Sequence, residues 1–255
     1  MINMAAIAIG RTKQWLWTKL SSAMHLQYRL HSGITVKISS FADWCIYNDI
    51  FVSGEYDEAI LSAIQRAGVT GSFYIVDIGA NVGFFTLRVF DLIARSSIQF
   101  PRVQCLLVEG SPHLKRAICD HVGQLQRDGV EIEVIIGLAG KRSGTAYFEF
   151  EQSESGNQVV AEPSAKSRSL AYYNLDERLA EVPAINLFKC DIEGSEIEVL
   201  NNYPHLLRKT DVAVFEFHEP RCPAAFGKTE VMKAGFKTSR VLYDQGHTQT
   251  LCFER

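Results

Sequence analysis

Asp77, Gly79, Asn81 and Gly83 stand together in VDIGANVGFF, where a short apolar run gives way to a helical pattern. In an open α/β sheet the ligand crevice lies at the carboxyl ends of the strands. Glycines there let a ligand approach the backbone, and the following helix offers free N–H groups. The spacing therefore reads as a site for a nucleotide-like ligand. A dinucleotide fingerprint would be GxGxxG, whereas here an acid precedes the first glycine by two residues and Asn takes the place of the second, which disfavours NAD. The next apolar run ends in Glu109 of LLVEGSP, an acid able to accept hydrogen bonds from both hydroxyls of a ribose.

A short cationic cofactor suits this turn better. The Asp77 carboxylate complements the amino group and sulfonium of S-adenosylmethionine, which has no pyrophosphate to cradle. Two further clusters sit where a reacting group belongs: Asp191, Glu193 and Glu196 in FKCDIEGSEIEVL, and Glu216, His218 and Glu219 in VFEFHE. Acids at a strand-to-helix turn also serve as caps favoured by the helix dipole. The strand period of two places Glu216 and His218 on one face and Phe215 and Phe217 on the other. His218 is the first candidate for a general base, on the expectation of a neutral imidazole near pH 7, with Glu216 orienting it. Asp191 is the second, or else holds the substrate or a divalent metal beside Glu216 and His218, the metal being left open.

These residues need a scaffold. FYIVDIG, RVQCLLVEG, EIEVIIGLAG, NLFKCDI and DVAVFEFHE are short apolar runs that read as buried strands, with TAYFEFEQ as a short added one. NVGFFTLRVFDLIARS and SPHLKRAICDHVGQLQRDG between them read as helices. Alternation of this kind, with strands hydrophobic on both sides, implies a parallel sheet in a layered α/β fold. GFKTSRVLYDQGHTQTLCFER holds two strand-like stretches joined only by DQGH, so the sheet should finish in an antiparallel hairpin. Upstream, ITVKISSF alternates as a strand, and FADWCIYNDIFVSGEYDEAILSAIQRAG reads as a turn running into a helix. The polar stretch 151–169 reads as a long loop.

With 255 residues, 47% hydrophobic and 22% charged, the chain is long enough for one large domain or two small ones, and it holds no apolar run of membrane-spanning length. A net charge of −3 argues against a general nucleic-acid binder. The charge is uneven: Arg11, Lys13, Lys19, Arg29 and Lys37 give the first 42 residues +5, with no Asp or Glu, and leave −8 for the rest. Residues 1–30, with Trp15 and Trp17 among basic residues, read as a helix suited either to docking on the domain or to lying on an anionic membrane surface. The start MINMAAIAIG lacks a basic n-region and reads as no signal peptide. Six widely spaced cysteines without a CxxC pair read as reduced core residues of a cytoplasmic protein.

The segments EYD at 55–57, VDIGANVGFF, VEGSP, Leu175-Asp176, FKCDIEGSEIEVL and FEFHE resemble, in order, the FkbM family of S-adenosylmethionine-dependent methyltransferases. FKCDIEGSE matches the family signature Lys-x-Asp-x-Glu-Gly-x-Glu, the most specific of these motifs. The resemblance spans roughly residues 50–220. It implies a Rossmann-like class I methyltransferase: a mostly parallel seven-stranded sheet with helices on both faces and an antiparallel C-terminal hairpin. It also implies O-methylation of a sugar, glycan or natural product by in-line transfer. Cofactor contacts are then expected from Tyr56, Asp77, Gly79, Asn81, Gly83, Glu109 and Asp191, with Asp57 as a further contact to the methionine end, and catalysis from His218, Asp191 and Glu216. Gly110 and Asp57 depart from the family pattern, which often has Pro and Glu there. Residues 1–70 are expected to form an extension packed on a methyltransferase domain of residues 71–255. A non-catalytic module binding S-adenosylmethionine or a nucleotide is the alternative, and a nucleotide-sugar oxidoreductase is disfavoured because GxGxxG and Tyr-x-x-x-Lys are both missing.

Overall fold

The computed structural model describes residues 26–68, 71–150 and 157–255. Two-sided hydrophobic runs do become the strands of one sheet. In chain order its parallel members are β3 (Ser72–Ile78), β4 (Arg102–Glu109), β5 (Val130–Ile136), β9 (Ile185–Cys190) and β10 (Thr210–His218). The hairpin strands β11 (Thr238–Asp244) and β12 (Thr248–Glu254) complete it, in the order β11-β12-β10-β9-β3-β4-β5. β12 runs antiparallel to β10 and to β11. The DQGH turn between them forms as the sequence implies, with Gly246 at φ +81 donating its N–H to Asp244 Oδ1 at 2.8 Å. From β3 the chain moves outward through β4 and β5, then returns to the other side of β3 with β9 and β10. Strand order reverses between β3 and β9, and a crevice opens there at the carboxyl ends.

Alternation along each strand feeds two cores. Ile75, Leu107, Leu187 and Val214 face one, together with the helices α2 (Asp57–Ala67), α3 (Phe84–Arg95) and α4 (Lys115–Gly123). Val76, Leu106, Phe188 and Phe215 face the other, packed by α5 (Asp176–Leu179), α6 (Glu196–Asn202), α7 (Pro204–Arg208) and α8 (Ala224–Lys233). Fully buried Leu, Ile, Val and Phe side chains each contribute about 1.5 to 3 kcal/mol, so this double layer dominates stability.

Three local readings are corrected. Leu26–Arg29 is a strand, β1, paired antiparallel with β2 (Thr35–Ile38), not part of a helix; the rest of the expected N-terminal helix, residues 1–25, lies outside the described residues. The stretch after β2 is a helix, α1 (Phe41–Tyr47), closed at its start by a Ser40–Asp43 capping box and continued by a π-helical turn over Asn48–Ser53. Gly54 at φ +68 then breaks it before α2. The stretch 151–169, of which 151–156 lie outside the described residues, is not one long loop: β7 (Gln158–Val160) and β8 (Ser167–Ala171), joined by a short connection, flank β6 (Thr145–Glu149) in a separate three-stranded antiparallel sheet. Their side chains are mostly half-buried or exposed, which erases the hydrophobic signal. Among the cysteines, Cys105, Cys190, Cys222 and Cys252 are buried, while Cys45 and Cys119 are exposed, against the core reading.

Candidate active site

The turn after β3 is built from backbone that side chains rarely tolerate: Gly79, Asn81 and Gly83 all have positive φ, at +78, +49 and +86. At Gly79 space forbids a side chain as well, since a Cβ would lie 1.7 Å from the carbonyl oxygen of Asp191. The ends of β3 and β9 thus touch backbone to backbone. Gly83 sits at the entry to α3 and lines neither cavity described below. Glu109 ties this turn to the next one: its Oε2 accepts from the Asn81 N–H at 2.8 Å and its Oε1 from the Ser111 N–H at 2.7 Å. Burial pushes the Glu109 carboxyl up to about 7 against the pull of these two bonds.

Beneath the turn lies a buried cation that the sequence reading names only as a signature position. Lys189, on the fully buried β9, donates to the Gly79 carbonyl at 2.7 Å and stands 3.3 Å from Asp191 Oδ2 and 3.7 Å from Asp77 Oδ1. Burial opposes its charge, but Asp191 and Asp77 hold the ammonium above its ordinary range. A lysine within a buried strand was the available signal, because such a charge persists only when paired. Asp77 is fully buried, takes a 3.0 Å bond from Thr86 Oγ1 and lines neither cavity. Asp77 thus stands against Lys189, behind the turn, rather than on the wall of either cavity. Asp57 is likewise turned away, gripping Arg88 Nε at 2.7 Å.

Two cavities open over this frame. The first is a half-open cleft between Glu109, Val108, Leu138 and Phe148, about 630 Å³ with its open solvent counted, and Asn157 and Val159 reach in from beside β6. The second, about 800 Å³, is lined by Tyr56, Lys189 and the acids Asp49, Glu55, Asp191, Glu193 and Glu216. Gly79, Asn81, Asp191 and Glu193 line both. Glu193 reaches this position from a left-handed backbone, φ +55, followed by Gly194 at +92. Glu55, Phe148 and Asn157 are contributions that the sequence reading missed. Glu55 lay within the quoted EYD segment and Phe148 within TAYFEFEQ, read as a strand but not as part of a site, whereas Asn157 falls in the stretch read as a loop. The hairpin supplies Tyr243 and Gln245 to the second cavity, and its Thr250 donates to Glu55 at 2.8 Å.

Glu216 and His218 do share a face of β10, with the rings of Phe215 and Phe217 stacked 5.5 Å apart on the other. His218, however, lines neither cavity and is ringed by carboxylates. Its Nδ1 lies 3.2 Å from Glu196, and its Nε2 lies 3.4 Å from Glu193, 3.7 Å from Glu216 and 3.9 Å from Asp191. Burial disfavours a charged ring, yet the bond to Glu196 and the surrounding acids outweigh it and push His218 up to about 9. That direction runs against the expected neutral imidazole. Glu193 is raised to about 7 and Glu216 is raised also, in both cases by burial first and then by the charge of Asp191. These acids face the cavity and can take a proton.

The sequence profile described as the methyltransferase FkbM domain matches residues 77–237, which contain the turn, Glu109 and the whole acidic cluster. The chain belongs to the FkbM methyltransferase family. Among solved structures, a methyltransferase FkbM from Methylobacillus flagellatus KT is 16% identical, with 72% of this chain and 44% of that chain covered, at a TM-score of 0.48. This FkbM chain thus spans less than half the length of that structure. TYW2 from M. jannaschii, solved in complex with AdoMet, is 13% identical over 90% of this chain and 85% of its own, with a TM-score of 0.41. A ribosomal protein L11 methylase from Lactobacillus delbrueckii subsp. bulgaricus is 12% identical over 79% of each chain, also at 0.41. Among curated proteins none matches the chain.

Proposed function

We propose that this FkbM protein transfers a methyl group from S-adenosylmethionine to a hydroxyl of a sugar, glycan or related natural product. The observation that carries the reading is the pair of cavities meeting at Gly79, Asn81, Asp191 and Glu193, the first lined by Glu109 and apolar side chains and the second rich in carboxylates. The residues fit the cofactor. Glu109 holds a buried carboxylate at the mouth of the first cavity, where two ribose hydroxyls can donate to it, and Val108, Leu138 and Phe148 give an apolar enclosure for a flat base. Glu55, Asp191 and Tyr56 line the second cavity, where a cationic amino group is favoured. When bound, S-adenosylmethionine supplies a methyl carbon made electrophilic by its sulfonium.

The chain's own part is alignment and proton removal. Holding the acceptor oxygen in line is worth about 7 to 11 kcal/mol of the barrier. A positioned base adds about 10² to 10⁴ in rate. Glu216 takes the acceptor's hydroxyl proton, because it faces the cavity while His218 behind it is occupied by carboxylates. Asp191 and Glu193 orient the acceptor from the shared wall. The test is incubation with methyl-radiolabelled cofactor and a pool of cell-surface glycans and glycosylated metabolites. Label should enter a sugar-containing product as an ether stable to mild base. Label recovered only in protein, in nucleic acid or in base-labile esters would contradict the acceptor class.

A further inference from the structure

Glu196 opens α6 and lines neither cavity, yet it is fully buried. Its Oε1 accepts from the backbone N–H groups of Ile192, at 2.9 Å, and Gly194, at 3.1 Å, while its Oε2 has no partner. The same Oε1 faces His218 Nδ1 at 3.2 Å. A carboxylate fixed by two amide donors accepts the Nδ1 proton, which turns Nε2 toward Glu193, Glu216 and Asp191. Three carboxylates converge on Nε2, and a divalent ion entering between them would displace its proton, because a ligating imidazole is neutral. One ligand atom each from Asp191, Glu193 and His218 lies within 4.8 Å of the others, the only such group among the described residues. Ligands of one divalent ion at about 2.1 to 2.4 Å lie at most about 4.8 Å apart.

We propose that Asp191, Glu193 and His218 Nε2 form a divalent-cation site, with Glu196 as a positioning residue behind the imidazole. Metal-bound histidines commonly donate their second N–H to a carboxylate in this way, which fixes the tautomer and the ring. Two carboxylates and one imidazole suit Mn²⁺ or Mg²⁺ better than a thiolate-seeking ion. Asp191 and Glu193 also line both cavities, so the remaining coordination positions open toward the acceptor. Resting on the methyl-transfer reading, the ion's role is to bind the acceptor oxygen and ease loss of its proton to Glu216. That oxygen's lone pair then forms the new O–C bond as the C–S bond breaks, leaving its electron pair on sulfur.

The test is Mn²⁺ titration of the EDTA-stripped, dialysed full chain, followed by loss of the free-ion electron paramagnetic resonance signal. One Mn²⁺ per chain should bind, at least 10-fold more weakly in Asp191→Asn and Glu193→Gln, and about 10- to 100-fold more weakly in Glu196→Gln. Glu131→Gln, which alters an exposed acid paired with Arg102, should leave binding unchanged. Circular dichroism melts of each variant separate lost binding from lost folding. No stoichiometric binding by the wild type, or equal binding by folded Asp191→Asn and Glu193→Gln, overturns the site. Calorimetry with S-adenosylmethionine on the same samples separates the two ideas. Cofactor binding without Mn²⁺ binding removes the metal site alone, and Mn²⁺ binding without cofactor binding removes the methyl-transfer reading alone.

Discussion

If S-adenosylmethionine binds as proposed, Glu109 should make its affinity depend on pH. Burial holds its carboxyl at about 7, so near pH 6 it is mostly protonated, while two ribose hydroxyls need the ionised form as acceptor. Affinity for S-adenosylmethionine should therefore rise about 10-fold from pH 6 to 8 and level off above, and Glu109→Gln should be weaker at pH 8 and flat across the range in calorimetric titrations. The linkage to folding has the opposite sign. A carboxyl raised from 4.5 contributes stability that is fully present below about 4.5 and lost as pH rises through about 7. For Glu216→Gln, cofactor affinity should stay within a few-fold while methyl transfer falls about 10² or more, the scale of a lost base; wild-type turnover would move the base elsewhere. Glu109, Asp191 and Glu216 were legible because acids at strand ends have a fixed direction relative to the sheet. The charge state of His218 was not, because it is set by Glu193 and Glu196, whose distance to His218 depends on how β9 and β10 pair.

Between elements, the contact that shapes the crevice is the approach of the β3 turn to the end of β9. Gly79→Ala would place a methyl group 1.7 Å from the Asp191 carbonyl on a φ of +78. Strain of that backbone costs about 1 to 2 kcal/mol and overpacking about 1 to 3 more. A variant that still folds should show a lower thermal midpoint together with at least 10-fold weaker cofactor binding; an unchanged midpoint would mean that the turn relaxes freely. The five parallel strands were legible since burial on both faces leaves unbroken apolar runs, and DQGH gave away the hairpin. Of the small sheet, β6 was legible in TAYFEFEQ, but its partners were hidden because β7 has three residues and β8 alternates only half-buried and exposed positions. Asn157, beside β7, was hidden with them, and Phe148 was legible as a strand residue but not as part of the first cavity.

Across the whole chain, formal charge is unevenly divided along the sequence. The +5 of the first 42 residues against −8 for the remainder predicts co-sedimentation with vesicles of anionic lipid at low salt and release at high salt. Retention in the supernatant at low salt would leave docking on the domain as the role of that segment. No helix among the described residues is long and apolar enough to cross a membrane. The central claim is that the crevice between β3 and β9 takes S-adenosylmethionine and not a dinucleotide. Calorimetric titration of the full chain tests it most directly. The account predicts saturable one-to-one binding of S-adenosylmethionine and of its demethylated product, no response to NAD, and in Glu109→Ala a loss of about 1.5 to 3 kcal/mol per hydrogen bond removed. Saturable NAD binding with no response to either sulfur compound would contradict it.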